Sequence, residues 1–384
     1  MAMQVFELQG VNFENKGAEL MLRATQEHFA SVPNLKLALP FRIGSPAQRN
    51  SAGLLHLLAL HREPPLLNTV IDTASWFVPG AIRRRLGVCR PAEMSGLIDA
   101  SGFLYSDQWP IGNLELQARK AARFKAGGKP VIYLPQAFGP FKSERARDLV
   151  ATIVQHSDLV FARDKISYEH LVGAAGQQPQ IRIAPDFTNL VEARITKTIP
   201  DNVVFIVPNA RMIDKSPPAV AERYVSCLAQ VASSARDAGL DPVIMIHDAI
   251  GDRAVGESVQ KLLGQPLAEM THPDPQVLKG WLAQARGVVG SRFHAIVSAL
   301  SSGTPAIALG WSHKYGELMA DYGLAHLNLG VQDEEKLQAA IAAWADRDQY
   351  EKQKQDLKLA SNKLKAMTKD MWKAVDDMLF ATRR

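Results

Sequence analysis

Apolar runs too short for most helices alternate along this chain with longer polar or amphipathic stretches. In the first half the runs are VFEL (5–8), LKLAL (35–39), LIDA (97–100), VIYL (131–134), DLVFA (158–162) and IRIA (181–184). Bounded by Gly, Pro, Asn and Asp, they predict strands, and their helix-length spacers predict βα units around a mostly parallel sheet. After the polar segment VEARITKTIPD the rhythm restarts with NVVFIVP (202–208), DPVIMI (241–246), GVVG (287–290), PAIAL (305–309) and HLNL (326–329). The expected class is therefore α/β, with two Rossmann-like domains over residues 1–197 and 198–345.

Two segments depart from this rhythm. Over residues 346–384, Leu357, Leu364, Met367, Met371, Val375 and Met378 recur at helical spacing amid Lys, Asp and Gln. They predict a long amphipathic helix packing across the domain junction rather than one reserved for a partner. Residues 51–90 mix apolar clusters with Trp76, Phe77 and the run Arg83, Arg84, Arg85. A helical insertion acting as a lid is the plain reading. Peripheral membrane contact, with aromatics among headgroups and arginines on anionic lipid, is the second.

Composition narrows the class of partner. The 384 residues are 47% hydrophobic and 22% charged, as in an ordinary globular protein, and the formal charge of +5 (pI near 9.1) suits anionic partners. No RNP-like aromatic pattern, zinc-finger spacing or long basic arm is present, so nucleic acid is not expected. Cys89 and Cys227 stand far apart without a CxxC or a Cys/His cluster, which argues against a disulfide framework or structural zinc and for a reducing cytoplasm. The start MAMQVFELQG does not read as a signal peptide, and no apolar run has the length of a spanning helix. The expected place is the cytoplasm, with the inner face of the membrane as the alternative.

Ligands of parallel α/β folds gather at the carboxyl ends of the strands. Asn12, Asn15, Gly17 and Glu19 follow the first run, Asp99, Ser101, Gly102 and Asp107 follow LIDA, and Gln136, Gly139 and Pro140 follow VIYL. Arg163, Asp164 and Ser167 follow DLVFA, and Pro185 and Asp186 follow IRIA. Singly, these are ordinary turn and cap residues, and Asp164 suits the cap of a helix bearing Tyr168 and Leu171. Asp99 and Asp107 stay open between two roles, since a strand-end carboxylate can also act as a base toward a sugar hydroxyl.

The second half is richer in cations at these positions. Arg211 follows NVVFIVP, Arg292 and His294 follow GVVG, and Lys314 follows PAIAL. Ser291 is expected to cap a helix whose apolar face is Phe293, Ile296, Val297 and Leu300. Cations at three strand ends describe a site for a small, multiply charged anion, because a cation in a first helical turn opposes the helix dipole until an anion arrives. With no GxGxxG and no Walker-type loop, neither a dinucleotide nor a P-loop triphosphate fits.

Taken together, these segments resemble the polysaccharide pyruvyl transferase family, whose members adopt a GT-B-like arrangement of two Rossmann-type domains. NKGAEL is similar to the family's Asn-x-Gly-Asp-Glu segment, ASGFLYSD to its glycine-triplet turn and LPQAFGP to its Gly-Gln-Gly-x-Gly-Pro turn. ARDKIS resembles its Arg-Asp-x-x-Ser and APDF its Pro-Asp segment, while SRFHAIVSALSSGTPAIAL resembles its Arg-x-His helix followed by Gly-x-Pro, with Lys314 at a common lysine. Ala18, Ala100, Ser101, Leu134 and Ala137 depart from the pattern, all in the first half, so they bear on the acceptor more than on the donor.

The resemblance implies transfer of a pyruvyl group from phosphoenolpyruvate to two hydroxyls of a sugar in a surface polysaccharide or its lipid-linked precursor, forming a ketal and releasing phosphate. Phosphoenolpyruvate is then a co-substrate, and the scheme calls for no cofactor and no metal. His294 would move the proton, with Asp99 and Asp107 as further catalytic candidates. Arg211, Ser291, Arg292, Phe293 and Lys314 would hold the donor, and Asn15, Gly17, Gly102, Gln136 and Arg163 would line the acceptor side. A helix N-terminus favours the neutral imidazole and a bound dianion the charged one, so donor binding would itself recruit the proton. Two other readings stand beside this one: a GT-B glycosyltransferase using a sugar nucleotide, and a catalytically silent glycan-binding or assembly protein.

Overall fold

A computed structural model describes residues 3–59, 79–248, 251–310 and 312–380. The chain divides into two compact units, Met1–Pro185 with Asp370–Arg384, and Asp186–Lys369.

The first unit is built on an eight-stranded sheet in the order β4-β3-β2-β1-β5-β6-β7-β8. Its strands are β1 (Gln4–Gln9), β2 (Leu35–Pro40), β3 (Leu55–Leu57), β4 (Val88–Cys89), β5 (Gly96–Asp99), β6 (Val131–Gln136), β7 (Leu159–Ala162) and β8 (Ile181–Ile183). Neighbours pair in parallel. Every residue of β5, β6 and β7 is buried, as expected of a parallel sheet covered on both faces. Charge within this core is paired: on β1 the buried Glu7 and Gln9 both accept from the Lys120 ammonium of helix Ile111–Ala126, at 2.8 Å for Gln9 Oε1.

The 51–90 segment differs from the insertion expected of it. Its described ends contribute β3 and β4 to the edge of the sheet, flanking helix Gly80–Arg85. These strands are three and two residues long, too short to register as apolar runs. Arg83 is buried and forms a fork with Glu93, both contacts 2.8 Å, so it is not an arginine presented to lipid. Trp76 and Phe77 lie outside the described residues.

The second unit carries a five-stranded parallel sheet in the order β11-β10-β9-β12-β13. Its strands are β9 (Val203–Val207), β10 (Asp241–Ile246), β11 (Ala268–Thr271), β12 (Gly287–Gly290) and β13 (Ala306–Ala308). A close approach explains one glycine: a Cβ on Gly287 would fall 2.3 Å from the Trp344 ring, which lies fully buried against β12. HLNL, expected as a strand, instead forms the 3-10 turn Ala325–Leu327, and only Asn328 bridges to Ala308.

The units divide after Pro185, ahead of the position expected from sequence, because residues 186–197 are tied into the second unit. Lys279 Nζ donates to Thr188 O (2.9 Å), Gln276 Nε2 to Glu192 O (3.1 Å) and Arg194 N to Gln276 O (2.9 Å). Gly280 admits this segment, since a Cβ there would stand 2.2 Å from Arg194 O. The predicted long helix runs Arg347–Phe380; its residues through Lys369 belong to the second unit and those from Asp370 to the first. In the first unit Trp372 lies flat on His28, ring centroids 4.0 Å apart, and Asp376 Oδ1 stands 2.9 Å from His28 Nε2.

In each sheet the strand order reverses beside the unit's first strand, between β1 and β5 and between β9 and β12. Loops leaving such a point run in opposite directions and open a crevice at the carboxyl ends of the strands.

Candidate functional site

At the second unit's reversal, the loops after β9 and β12 are locked together by Ser291. This residue is fully buried, and its carbonyl accepts from Asn209 Nδ2 and from the Tyr315 hydroxyl, both at 2.6 Å, while its Oγ accepts from Tyr224 (3.0 Å). Burial raises the Tyr224 hydroxyl well above its ordinary range, so it stays a donor. Ser291 is thus not the helix cap that its residue type suggested. The cap position of helix Phe293–Ser301 is Arg292, without a capping side-chain bond, and Ser291 is an interior tie among three elements.

Arg292 turns toward two carboxylates. Its Nε and Nη2 form a fork with Asp252 Oδ2 (2.9 Å) and Oδ1 (2.5 Å), and Nη1 stands 3.3 Å from Asp248 Oδ2. Asp252 is fully buried and also accepts the backbone N–H groups of Ala210 (2.9 Å) and Asp248 (3.2 Å), so one carboxylate ties the loops after β9, β10 and β12. Burial raises the Asp252 carboxyl above its usual value, against the pull of the adjacent guanidinium.

Two residues on, His294 Nε2 stands 3.6 Å from Asp186 Oδ2. Asp186 is itself buried and fixed by Thr188, whose N–H (3.0 Å) and hydroxyl both donate to Oδ1. The Phe293 ring meets His294 edge-on with centroids 5.4 Å apart, and Lys314 Nζ lies 5.7 Å from the Phe293 ring and 5.4 Å from that of Tyr315. Ser291, Arg292, Phe293, His294 and Lys314 therefore form one cluster. Arg211 follows β9 as expected, but its exposed side chain is engaged by Asp214 of the same short helix at 2.5 Å.

In the first unit, the expected residues divide between scaffold and strand-end surface. Asp99 is fully buried and accepts from Gln9 Nε2, the Tyr105 hydroxyl (2.7 Å), Gln136 Nε2 (3.0 Å) and Ser101 N (2.9 Å). With its oxygens so occupied, it holds the loop after β5 in place. Asp107 is exposed and accepts Lys142 N at 2.6 Å, tying the loop after β5 to that after β6. Asn15 caps helix Lys16–Phe29 by accepting from Gly17 N and Ala18 N, with Gly17 buried in its first turn. Gly102 holds φ +69, and its carbonyl accepts Ala137 N. The buried Arg163 donates its backbone N–H to Gln136 O (2.9 Å).

Three buried polar atoms at the ends of β5, β6 and β7 lack a hydrogen-bond partner among the described residues: Ser101 Oγ, Gln136 Oε1 and Asp164 Oδ2. Such atoms call for water or a polar ligand. No group of three His, Cys, Asp or Glu side chains that could hold a metal occurs among the described residues. A groove of about 950 Å³ elsewhere in the second unit, lined by Leu324, Lys336 and Leu357 among others, contains none of the cluster residues.

A family model described as polysaccharide pyruvyl transferase matches residues 15–313, a span that takes in Asp99, Gln136, Asp186, Asp252 and the Ser291–His294 turn and ends just before Lys314. The chain belongs to the polysaccharide pyruvyl transferase family. This polysaccharide pyruvyl transferase family member is similar in fold to Anabaena HepE in complex with UDP and glucose, at 12% identity and TM-score 0.58 over 99% of this chain and 100% of that one. It also resembles S. aureus MnaA with UDP, at 12% identity and TM-score 0.61 over 98% and 97% of the two chains. A third similar structure is a Neisseria meningitidis UDP-GlcNAc 2-epimerase bound to UDP-GlcNAc, at 10% identity and TM-score 0.58 over 94% and 98%. At these identities the likeness is one of fold, two parallel α/β sheets of the GT-B-like kind.

The sequence left two participants of this pyruvyl transferase family member without a role. Asp186 lies in the APDF segment, and its tie to His294 joins residues far apart in the chain. Asp252, in HDAIGD just beyond β10, carried a signal in its strand-end position, yet only the folded chain brings it under Arg292.

Proposed function

We propose that the chain transfers the pyruvyl group of phosphoenolpyruvate to two hydroxyls of a sugar in a surface polysaccharide or its lipid-linked precursor. The observation that carries this reading is the Arg292–His294 turn after β12, where an imidazole faced by a buried carboxylate and the Lys314 ammonium both lie beside the Phe293 ring, next in the chain to a guanidinium held by Asp252. Phosphoenolpyruvate places a phosphate and a carboxylate on a small rigid frame, and fixed cations suit it.

The chemistry follows from those groups. A protonated His294 gives its proton to the methylene carbon, C2 becomes oxocarbenium-like, and one sugar hydroxyl adds to it while losing its proton. The C2–O bond to phosphate then breaks, phosphate leaves with its electron pair, and the second hydroxyl closes the ketal. Of the two hydroxyl protons, one balances the new methyl group and the other the phosphate. On the acceptor side, Ser101 Oγ, Gln136 Oε1 and Asp164 Oδ2 suit a polyhydroxylated partner, which can both donate to and accept from them. The transfer needs no cofactor beyond the co-substrate.

The test is phosphate release from phosphoenolpyruvate in the presence of candidate glycans, with mass spectrometry for the added pyruvyl group. Likeness to proteins described with UDP and UDP-GlcNAc supports a second reading, a sugar-nucleotide glycosyltransferase, for which Glu317 of helix His313–Asp321 is the ribose-binding candidate. If UDP- or GDP-sugars raise the unfolding temperature and phosphoenolpyruvate does not, the second reading replaces the first.

A further inference from the structure

The two carboxylates on Arg292 are not equivalent. Asp252 holds the guanidinium through a two-point fork, is fully buried, and is pinned by two backbone N–H donors. Asp248 stands farther off, at 3.3 Å from Nη1, and its side chain keeps 17% of its exposure against none for Asp252. Its backbone N–H is anchored by Asp252, while its carboxylate keeps part of its exposure at the outer side of the guanidinium.

We propose that Asp248 is a displaceable stand-in for the donor's anionic group, holding the outer edge of Arg292 until the substrate takes it, and so sets both affinity and selectivity for the donor. This rests on the reading of the Arg292–His294 turn as the phosphoenolpyruvate site. Two carboxylates on one guanidinium leave that group of three with net negative charge, which offsets the attraction of Arg292 for an incoming anion. An anion with enough charge to engage Lys314 as well as Arg292, such as phosphoenolpyruvate with its phosphate and carboxylate, outcompetes Asp248, whereas one of lower charge, such as inorganic phosphate, gains less. Asp252 does not exchange: it keeps the fork and thereby aims Nη1 outward, which makes it a positioning residue and Asp248 a specificity-determining one.

The test is calorimetric binding of phosphoenolpyruvate and, separately, inorganic phosphate at fixed ionic strength to the wild type, Asp248→Asn and Asp248→Ala, with each variant's fold checked by thermal unfolding. Either Asp248 variant that folds should bind phosphoenolpyruvate about tenfold tighter, a change of about 1.4 kcal/mol, and should gain more for inorganic phosphate than for phosphoenolpyruvate. Asp252→Asn should shift affinity the other way. Wild type that binds phosphoenolpyruvate while both Asp248 variants bind it equally or more weakly overturns the inference and leaves the donor reading standing. If phosphoenolpyruvate binds neither the wild type nor a variant, the donor reading fails and the inference fails with it.

Discussion

His294 and Asp186 show how residue identity and residue environment contribute separately. The imidazole was visible in the sequence as a misfit in a first helical turn, but the carboxylate 3.6 Å away comes from a segment more than a hundred positions earlier. Neither residue's role follows from its neighbours in the chain, which is why Asp186 passed as a turn residue. On the proposed mechanism, His294→Gln should lower kcat by about 10²–10³ with phosphoenolpyruvate binding retained, the range expected for loss of a positioned proton donor. Asp186→Asn should cost about tenfold to a hundredfold, because the ring loses its electrostatic hold rather than its proton. Single-turnover kinetics beside equilibrium binding separate the two, and a His294→Gln enzyme at wild-type rate would remove the histidine from the chemistry. The thiols give an independent check of the interior. Burial pushes both Cys89 and Cys227 up to about 12, so at pH 8 only roughly one part in ten thousand is thiolate. Neither should react with a thiol reagent in the folded protein at a measurable fraction of the rate seen in denaturant.

Elements were legible in proportion to how strongly their burial is written into short apolar runs. β1, β2, β5 to β10, β12 and β13 all fall on such runs. β11 does not: its residues AEMT are largely exposed at a sheet edge, so nothing in their hydropathy marks them. HLNL failed in the opposite direction, since its leucines are buried by a 3-10 turn, whose apolar demand is the same as a strand's over so few residues. The loops at the strand-order reversals were visible as glycine and polar punctuation, but the closeness of their approach was not. Gly10, with φ +82, brings the loop after β1 so near the loop after β5 that a Cβ would stand 2.3 Å from Ser101 Cα. Gly10→Ala combines a left-handed backbone with a collision against main chain and should destabilise the protein by about 1–3 kcal/mol. Chemical denaturation reads this directly, and an unchanged midpoint would mean that the two loops part easily.

Across the whole molecule, the restart of the βα rhythm disclosed two units, whereas the place where the chain passes from one to the other is set by long-range hydrogen bonds within the second unit that no local pattern carries. Residues 186–197 belong with the second sheet because Lys279, Gln276 and Gly280 receive them. The long helix serves both units, and its last segment has a specific seat in the first through the Trp372–His28 stack. Trp372→Ala should remove about 3 kcal/mol or more, the usual cost of emptying a buried aromatic site. Its effect should be confined: hydrogen exchange should quicken in helix Lys16–Phe29 and β1, while β9 and β12 keep their protection. Equal loss in both sheets would show that the units unfold as one.

Each sheet has its own reversal of strand order, and that duplication gives the protein a modular design. On the proposed reading, the turn that handles phosphoenolpyruvate is held by ties within one unit, Ser291 to Tyr224, Tyr315 and Asn209, and Arg292 to Asp252. The loops assigned to the sugar are held by a separate set centred on Asp99. Substitutions such as Ala18, Ser101 or Ala137 can therefore accumulate in one set without disturbing the other. If the proposed transfer holds, a lineage can change its acceptor while leaving the donor chemistry untouched.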